Sequence, residues 1–223
     1  MYIQEDSSLP YINCIWHAIV EHDGVYTDPA NEYWCLGFIR HGDGSLSVEL
    51  YGPSLKPRVL EGHAGEAYWG IEFKTYITLV AISKGELLNA HVRLPVTDAS
   101  FAIGNQHYQI PAYDELEKFA QQLQEDGVMV TDQRIGRALQ GDSSGFSERS
   151  RQRHFKNVTG LTKKQVEQLQ RARHAFYLLQ TGSSLPQAAV AAGYSDQPHM
   201  TRSLRLLRGE TPAQIIATHL AQS

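Results

Sequence analysis

The sequence predicts an α+β fold. A β-rich, sandwich- or barrel-like N-terminal domain precedes an all-α domain in which two helical hairpins are joined by a long helix. Three observations predict it. Short apolar runs recur at roughly ten-residue spacing over the first hundred residues, with turn residues between them. From Tyr113 onward the apolar period lengthens from two to three or four. Charge is also segregated: residues 1–140 hold 9 Lys+Arg against 19 Asp+Glu, a balance of −10, whereas residues 141–223 hold 11 against 5, a balance of +6. Gln109-Ile110-Pro111-Ala112 marks the boundary, giving domains at 1–112 and 113–223.

A chain of 223 residues that is 42% hydrophobic can bury a proper core. No apolar run reaches the roughly 18 residues that a membrane span needs, so no membrane partner is expected. The start, MYIQEDSSLP, lacks the basic and apolar regions of a signal peptide, and the expected compartment is cytoplasmic. Cys14 and Cys35 are the only cysteines, without zinc-type spacing, and are expected to pack as small apolar side chains. No P-loop, dinucleotide-binding glycine pattern or Gly-x-Ser-x-Gly elbow is expected. No catalytic residue, cofactor or metal is therefore assigned, and an enzyme is not expected.

In chain order, Ile12, Cys14, Trp16, Ala18 and Val20 alternate as in a half-buried strand. Tyr33–Arg40 is an apolar run; His41-Gly42-Asp43-Gly44 is turn chemistry, and Leu46, Val48 and Leu50 alternate after it, which predicts a hairpin. Gly52-Pro53 breaks the chain. Arg58–Leu60 and Trp69, Ile71, Phe73 are further strands, while Tyr76–Ile82 has no clear period and Leu94–Phe101 is mixed. Trp16, Trp34 and Trp69 are candidates for lining an apolar ligand pocket, against the commoner reading of aromatic core. His17, His22, His41 and His63 lack the HxH spacing of a cupin-type metal site, the nearest approach being His63 with Glu66.

Beyond the boundary, Tyr113, Leu116, Phe119, Ala120 and Leu123 form a helical stripe that ends at Gly127. Thr131 is expected to cap the next helix, with Ile135 and Leu139 inward. Ser147 caps a helix running to about Thr159. Lys163–Thr181 has neither Gly nor Pro; Val166, Leu169, Arg173, Phe176, Leu179 and Gln180 track one side. Its 19 residues span roughly 28 Å, comparable to the about 34–36 Å between successive major grooves. Leu185–Ala192 is short and alanine-rich, Gly193 follows it, and Ser195 or Asp196 caps the last helix of the hairpin, with Pro198 in its first turn. Met200, Leu204 and Leu207 face inward there, leaving Gln197, His199, Arg202 and Arg205 outside. Arginine can hold guanine, and glutamine adenine, by two hydrogen bonds each in a major groove. A helical hairpin with a solvated basic face has the same spacing.

Gly193, Tyr194, Asp196, His199, Met200, Arg202, Leu204, Arg205, Gly209, Thr211 and Pro212 stand as in the second helix-turn-helix of the AraC/XylS family of transcriptional regulators, and this stretch resembles it. The segment holding Gly145, Phe146, Ser147, Arg149, Arg153, Phe155, Lys156, Gly160 and Thr162 resembles the family's first motif, with Arg151 in place of a buried leucine that would partner Phe146. Gly52-Pro53, Pro57 and Gly70-Ile71-Glu72-Phe73-Lys74 resemble the sensor-like domain of one branch of that family, over about residues 11–110. The resemblance implies base contacts from Arg149, Gln152 and Arg153 in the first motif and from Gln197, Pro198, His199 and Arg202 in the second. It implies phosphate contacts from Thr162, Lys163 and Thr211. It also implies double-stranded promoter or operator DNA as partner, and admits a small-molecule effector, RNA polymerase and a second copy of the chain as a homodimer. Two alternatives stay open: a protein-interaction co-regulator with weakened DNA binding, and a cupin-type enzyme fused to a DNA-binding tail.

Overall fold

A computed structural model describes residues 2–141 and 147–222. The strands up to the helical part are β1 (Tyr2–Glu5), β2 (Ile12–Ile19), β3 (Gly24–Asp28), β4 (Trp34–Arg40), β5 (Leu46–Tyr51), β6 (Arg58–Gly62), β7 (Ala67–Phe73), β8 (Ile77–Leu79), β9 (His91–Leu94), β10 (Val96–Thr97), β11 (Ser100–Ile103) and β12 (Gln106–Gln109). Then come α1 (Leu116–Glu125), β13 (Met129–Thr131), α2 (Gln133–Leu139), α3 (Glu148–Thr159), α4 (Lys163–Gln180), α5 (Leu185–Ala191), α6 (Gln197–Arg208) and α7 (Pro212–Gln222). The β-rich part and the helical part follow each other as expected. None of the described helices is long and apolar enough to cross a membrane.

Contacts divide the chain into two units that do not follow it in single pieces. One comprises residues 1–25, 32–53 and 61–163; the other comprises 26–31, 54–60 and 164–223. In the first, an antiparallel sheet runs in the order β1-β2-β7-β4-β5-β9. One of its faces carries Trp34, Leu36, Phe38, Val48, Leu50, Ile71 and Phe73, all buried. Residues directly opposite on antiparallel strands share a face. The other face therefore holds Trp16, Gly70, Gly37 and Glu49 as one cross-strand row. A Cβ on Gly70 would meet the Leu36 carbonyl at 2.6 Å and the Trp16 ring at 2.9 Å, so that position requires glycine.

The apolar face is covered by residues from beyond the expected boundary at 112. Phe119 packs edge-on against Phe38 with centroids 6.1 Å apart, and Leu116, Ala120 and Leu123 enter the same core. Helical period predicted the buried stripe; it cannot say which neighbour the stripe covers. Tyr76–Ile82 resolves into β8, which pairs with β13 through Ile77 and Thr131. Three residues are too few to show a period. Thr131 consequently does not cap α2. Asp132 does, its carboxylate accepting from the Arg134 and Ile135 N–H groups at 3.0 Å each. Ile135 is buried and Leu139 only half-buried.

In the second unit α4 buries Val166, Leu169, Ala172, Ala175 and Leu179, with Arg173 and Phe176 half-buried beside them. Its inward face thus runs through alanines rather than through Arg173 and Gln180. Residues 26–31 and 54–60 belong to this unit too. The Ala30 N–H donates to the Leu207 carbonyl at 2.8 Å, and Arg58 Nε donates to Asp28 at 2.9 Å.

Candidate nucleic-acid interface

The second helical hairpin is built from local rules. Gln187 Oε1 accepts from the Ser184 N–H and hydroxyl at the start of α5, at 3.2 and 2.7 Å. The start of α6 is capped by Asp196, which accepts from the His199 N–H at 2.6 Å. That bond is the largest cause holding the Asp196 carboxyl below its ordinary pKa. Pro198 occupies the first turn, where its missing N–H removes no helical bond. Gly209 ends the helix at φ 78°, a left-handed conformation that suits glycine. Behind α6 lie Met200, Leu204 and Leu207, all buried. Tyr194 is buried in the turn, its hydroxyl donating to Ser203 Oγ at 2.9 Å, and the Arg171 guanidinium lies 5.5 Å from its ring.

The outward face of α6 carries Gln197, Pro198 and Arg202, all exposed, with Arg205 beyond them. His199 is placed differently. It is half-buried, its Nδ1 is 3.1 Å from Ser195 Oγ, and its ring stands edge-on to Tyr194 at 5.1 Å. The helix's far end is held by Arg208, whose guanidinium lies 3.5 Å over the Phe176 ring; burial lowers its pKa to about 10. Thr211 is half-buried, and its hydroxyl and N–H both donate to Gln214 Oε1 at 2.8 Å, which caps α7.

The first hairpin lies in the other unit. Asp132, capping α2, also accepts from His154 Nε2 of α3 at 2.8 Å, which ties the two helices. Ser147 caps α3, accepting from the Ser150 N–H at 3.4 Å, and Phe155 and Thr159 are its buried residues. Arg149, Gln152, Arg153 and Lys156 are exposed at i, i+3, i+4 and i+7, one face of the helix. Thr162 and Lys163, at the start of α4, are exposed as well. Glu148 holds Gln152 Nε2 at 2.8 Å and is ion-paired with Arg151. Arg151 keeps about a third of its side chain exposed (32%), so it is not a buried stand-in for leucine. Phe146, its expected partner, lies outside the described residues. Arg151→Leu should raise stability by about 1 kcal/mol, the gain from one to two methylenes of burial less the few tenths of an i,i+3 pair. Urea unfolding with no gain in midpoint would show that the position stays wet.

The tryptophans separate. Trp34 is fully buried and donates to the Ile77 carbonyl at 3.0 Å, as a core residue does. Half-buried Trp69 donates to the Pro111 carbonyl at 2.8 Å and stacks on Phe38. Half-buried Trp16 stacks with Tyr2. Among the described residues no three of His, Cys, Asp and Glu come together to hold a metal. Contrary to the expectation that none is present, Gly141-Asp142-Ser143-Ser144-Gly145 spells the Gly-x-Ser-x-Gly of a nucleophile elbow. Such an elbow follows a strand, whereas the element preceding this stretch is helix α2; residues 142–146 themselves lie outside the described ones.

Two capped helical hairpins thus present exposed arginine and glutamine on their second helices. Residues 142–217 match the family model described as a helix-turn-helix domain. Over this stretch the chain is similar to helix-turn-helix domains. Comparison with curated proteins finds no match. Among solved structures the chain is similar to ToxT from Vibrio cholerae, at 10% identity and a TM-score of 0.48, with 97% of this chain and 98% of that one covered.

Proposed function

We propose that the protein is a sequence-specific transcriptional regulator that reads promoter or operator DNA through α3 and α6. Residues 113–223 would be its DNA-binding region, and residues 1–112 would answer to a small-molecule effector or a protein partner. The observation that carries this reading is α6: capped at Asp196, backed by Met200, Leu204 and Leu207, and turning Gln197, Pro198 and Arg202 outward. Arg202 and Gln197 supply two-bond readers of guanine and adenine, and Pro198 offers apolar contact. His199, engaged by Ser195 and Tyr194, sets the turn as well as standing near the base edges. In α3 the readers are Arg149, Gln152 and Arg153. Thr162, Lys163 and Thr211 contact phosphate, Thr211 through the start of the helix that it caps. A cytoplasmic location, homodimerisation and contact with RNA polymerase fit this role.

One observation favours the reading of a co-regulator with weakened DNA binding. Glu148 occupies the amide of Gln152 and places a carboxylate among the basic groups of α3. The two motifs should accordingly be unequal. Selection of a duplex from random sequence, followed by titration, tests both points. Arg202→Ala should cost about 1–3 kcal/mol in operator affinity, as for a lost two-bond base contact, and Arg153→Ala less. A larger loss for Arg153→Ala would reverse the ranking, and failure to select any sequence would favour the co-regulator.

A further inference from the structure

Outside the helical hairpins, three side chains of the sheet unit form a continuous hydrogen-bonded line. His41 follows β4, Ser47 lies on β5, and Glu66 directly precedes β7. Ser47 Oγ is 2.8 Å from His41 Nε2, and His41 Nδ1 is 2.9 Å from Glu66 Oε1. Glu66 is only 6% exposed. Its second oxygen accepts from the Tyr68 hydroxyl at 2.5 Å and from the His63 N–H at 3.0 Å. Burial pushes this carboxyl up, but the bonds from Tyr68, His63 and His41 outweigh it and hold the pKa down at about 2. The carboxylate is thus ionised and fixed. A carboxylate on Nδ1 keeps the proton there and leaves Nε2 as the acceptor. The Ser47 hydroxyl then donates to Nε2, so its oxygen is oriented and its proton has a base.

We propose that Ser47 is a nucleophilic serine that takes up a short acyl group from a carboxylic ester, with His41 as its general base and Glu66 as the residue that positions His41. Acylation balances as follows. The Ser47 proton passes to His41 Nε2 as Oγ bonds the ester carbonyl carbon. The carbon–oxygen bond to the leaving group then breaks, and the leaving oxygen takes the proton from His41. Glu66 stays ionised throughout and stabilises the imidazolium that forms in between. The surroundings select the acyl group. Ser47, Ile39, Tyr68 and Ala18 stand directly opposite one another on β5, β4, β7 and β2, so they share a face. Ile39, Tyr68 and Ala18 make an apolar strip leading away from the hydroxyl, suited to a chain of a few methylenes. Ser47 itself is 8% exposed, and the His41 side chain at 29% gives the line its access to solvent.

This relay does not bear on DNA reading, so its test is independent of the proposed function. Full-length protein is treated with a fluorophosphonate probe and, separately, with p-nitrophenyl acetate and p-nitrophenyl butyrate. The adduct is located by peptide mass spectrometry, and nitrophenolate release is followed in the first turnover. One adduct per chain at Ser47 is expected, with butyrate at least as reactive as acetate. Ser47→Ala should abolish it. His41→Gln should slow it by roughly 100- to 10,000-fold, the usual worth of a general base. Glu66→Gln, which keeps the shape but not the charge, should slow it and move its pH midpoint, which a merely structural contact would not do. Circular dichroism and thermal unfolding confirm that each variant is folded. Absence of label from Ser47 in the unaltered protein overturns the proposal whatever the variants do, as does an adduct whose rate is the same in folded His41→Gln.

Discussion

Leu204→Ala is expected to cost about 2–5 kcal/mol of stability and to remove sequence-specific DNA binding. Leu204 has no exposed surface; it sits on α6 between Met200, also 0% exposed, and Leu207 at 7%. Removing its isobutyl group loses the transfer free energy of the buried atoms and leaves a cavity that a short helix between two fixed ends cannot close. One end is pinned by Asp196 on the His199 N–H. The other is pinned by Gly209 and by the bond from the Ala30 N–H to the Leu207 carbonyl. The alternative to a cavity is a rotated or frayed helix, and either outcome misplaces Arg202 by more than a two-bond base contact tolerates. Urea unfolding and titration against a selected duplex measure the two effects. Leu206, 64% exposed on the same helix, is the control: Leu206→Ala should stay within about 0.5 kcal/mol. Equal behaviour of the two variants would mean that α6 is not held by its apolar stripe.

The hairpin that carries Leu204 was legible because its signals are local. A capping aspartate, a proline in the first turn, a terminal glycine and an i, i+4, i+7 stripe each act within one or two turns of chain. Strands β2, β4, β5 and β7 were legible for the same reason, through alternation and the His41–Gly44 turn. What stayed hidden depends on partners distant in sequence. Phe119 shows by its period that it is buried, but not that it meets Phe38. Residues 26–31 and 54–60 carry no mark that they pack with α6 rather than with the sheet around them. Ser47, His41 and Glu66 meet because β4 pairs with both β5 and β7, a register that no short motif encodes. Thr131 was the expected cap of α2; the pairing of β13 with β8 draws it into a strand, and Asp132 caps instead.

Raising salt from 50 to 200 mM should weaken binding of the full chain to duplex DNA by roughly 40-fold. Arg149, Arg153, Lys156, Lys163, Arg202 and Arg205 are exposed on α3, on α6 and at the start of α4. Arg149, Arg153 and Arg202 are assigned to bases, so Lys156, Lys163 and Arg205 on phosphates would give a log–log slope of about −2.7, because each contact releases condensed counterions with a slope near −0.9. The net charge of −4 does not oppose this, since the positive balance of +6 is concentrated in residues 141–223. The experiment requires the whole chain. Truncation near residue 112 would strip Leu116, Phe119 and Leu123 of the core they share with Phe38 and Phe101. Substitution dissects the slope instead. Lys156→Gln, if Lys156 meets phosphate, should lower affinity alike for every sequence and flatten the slope by about 0.9. Arg202→Gln should lower it chiefly for the selected operator, since a base contact specifies where a phosphate contact only positions. A slope that is flat across this salt range would remove duplex DNA as the partner of both hairpins.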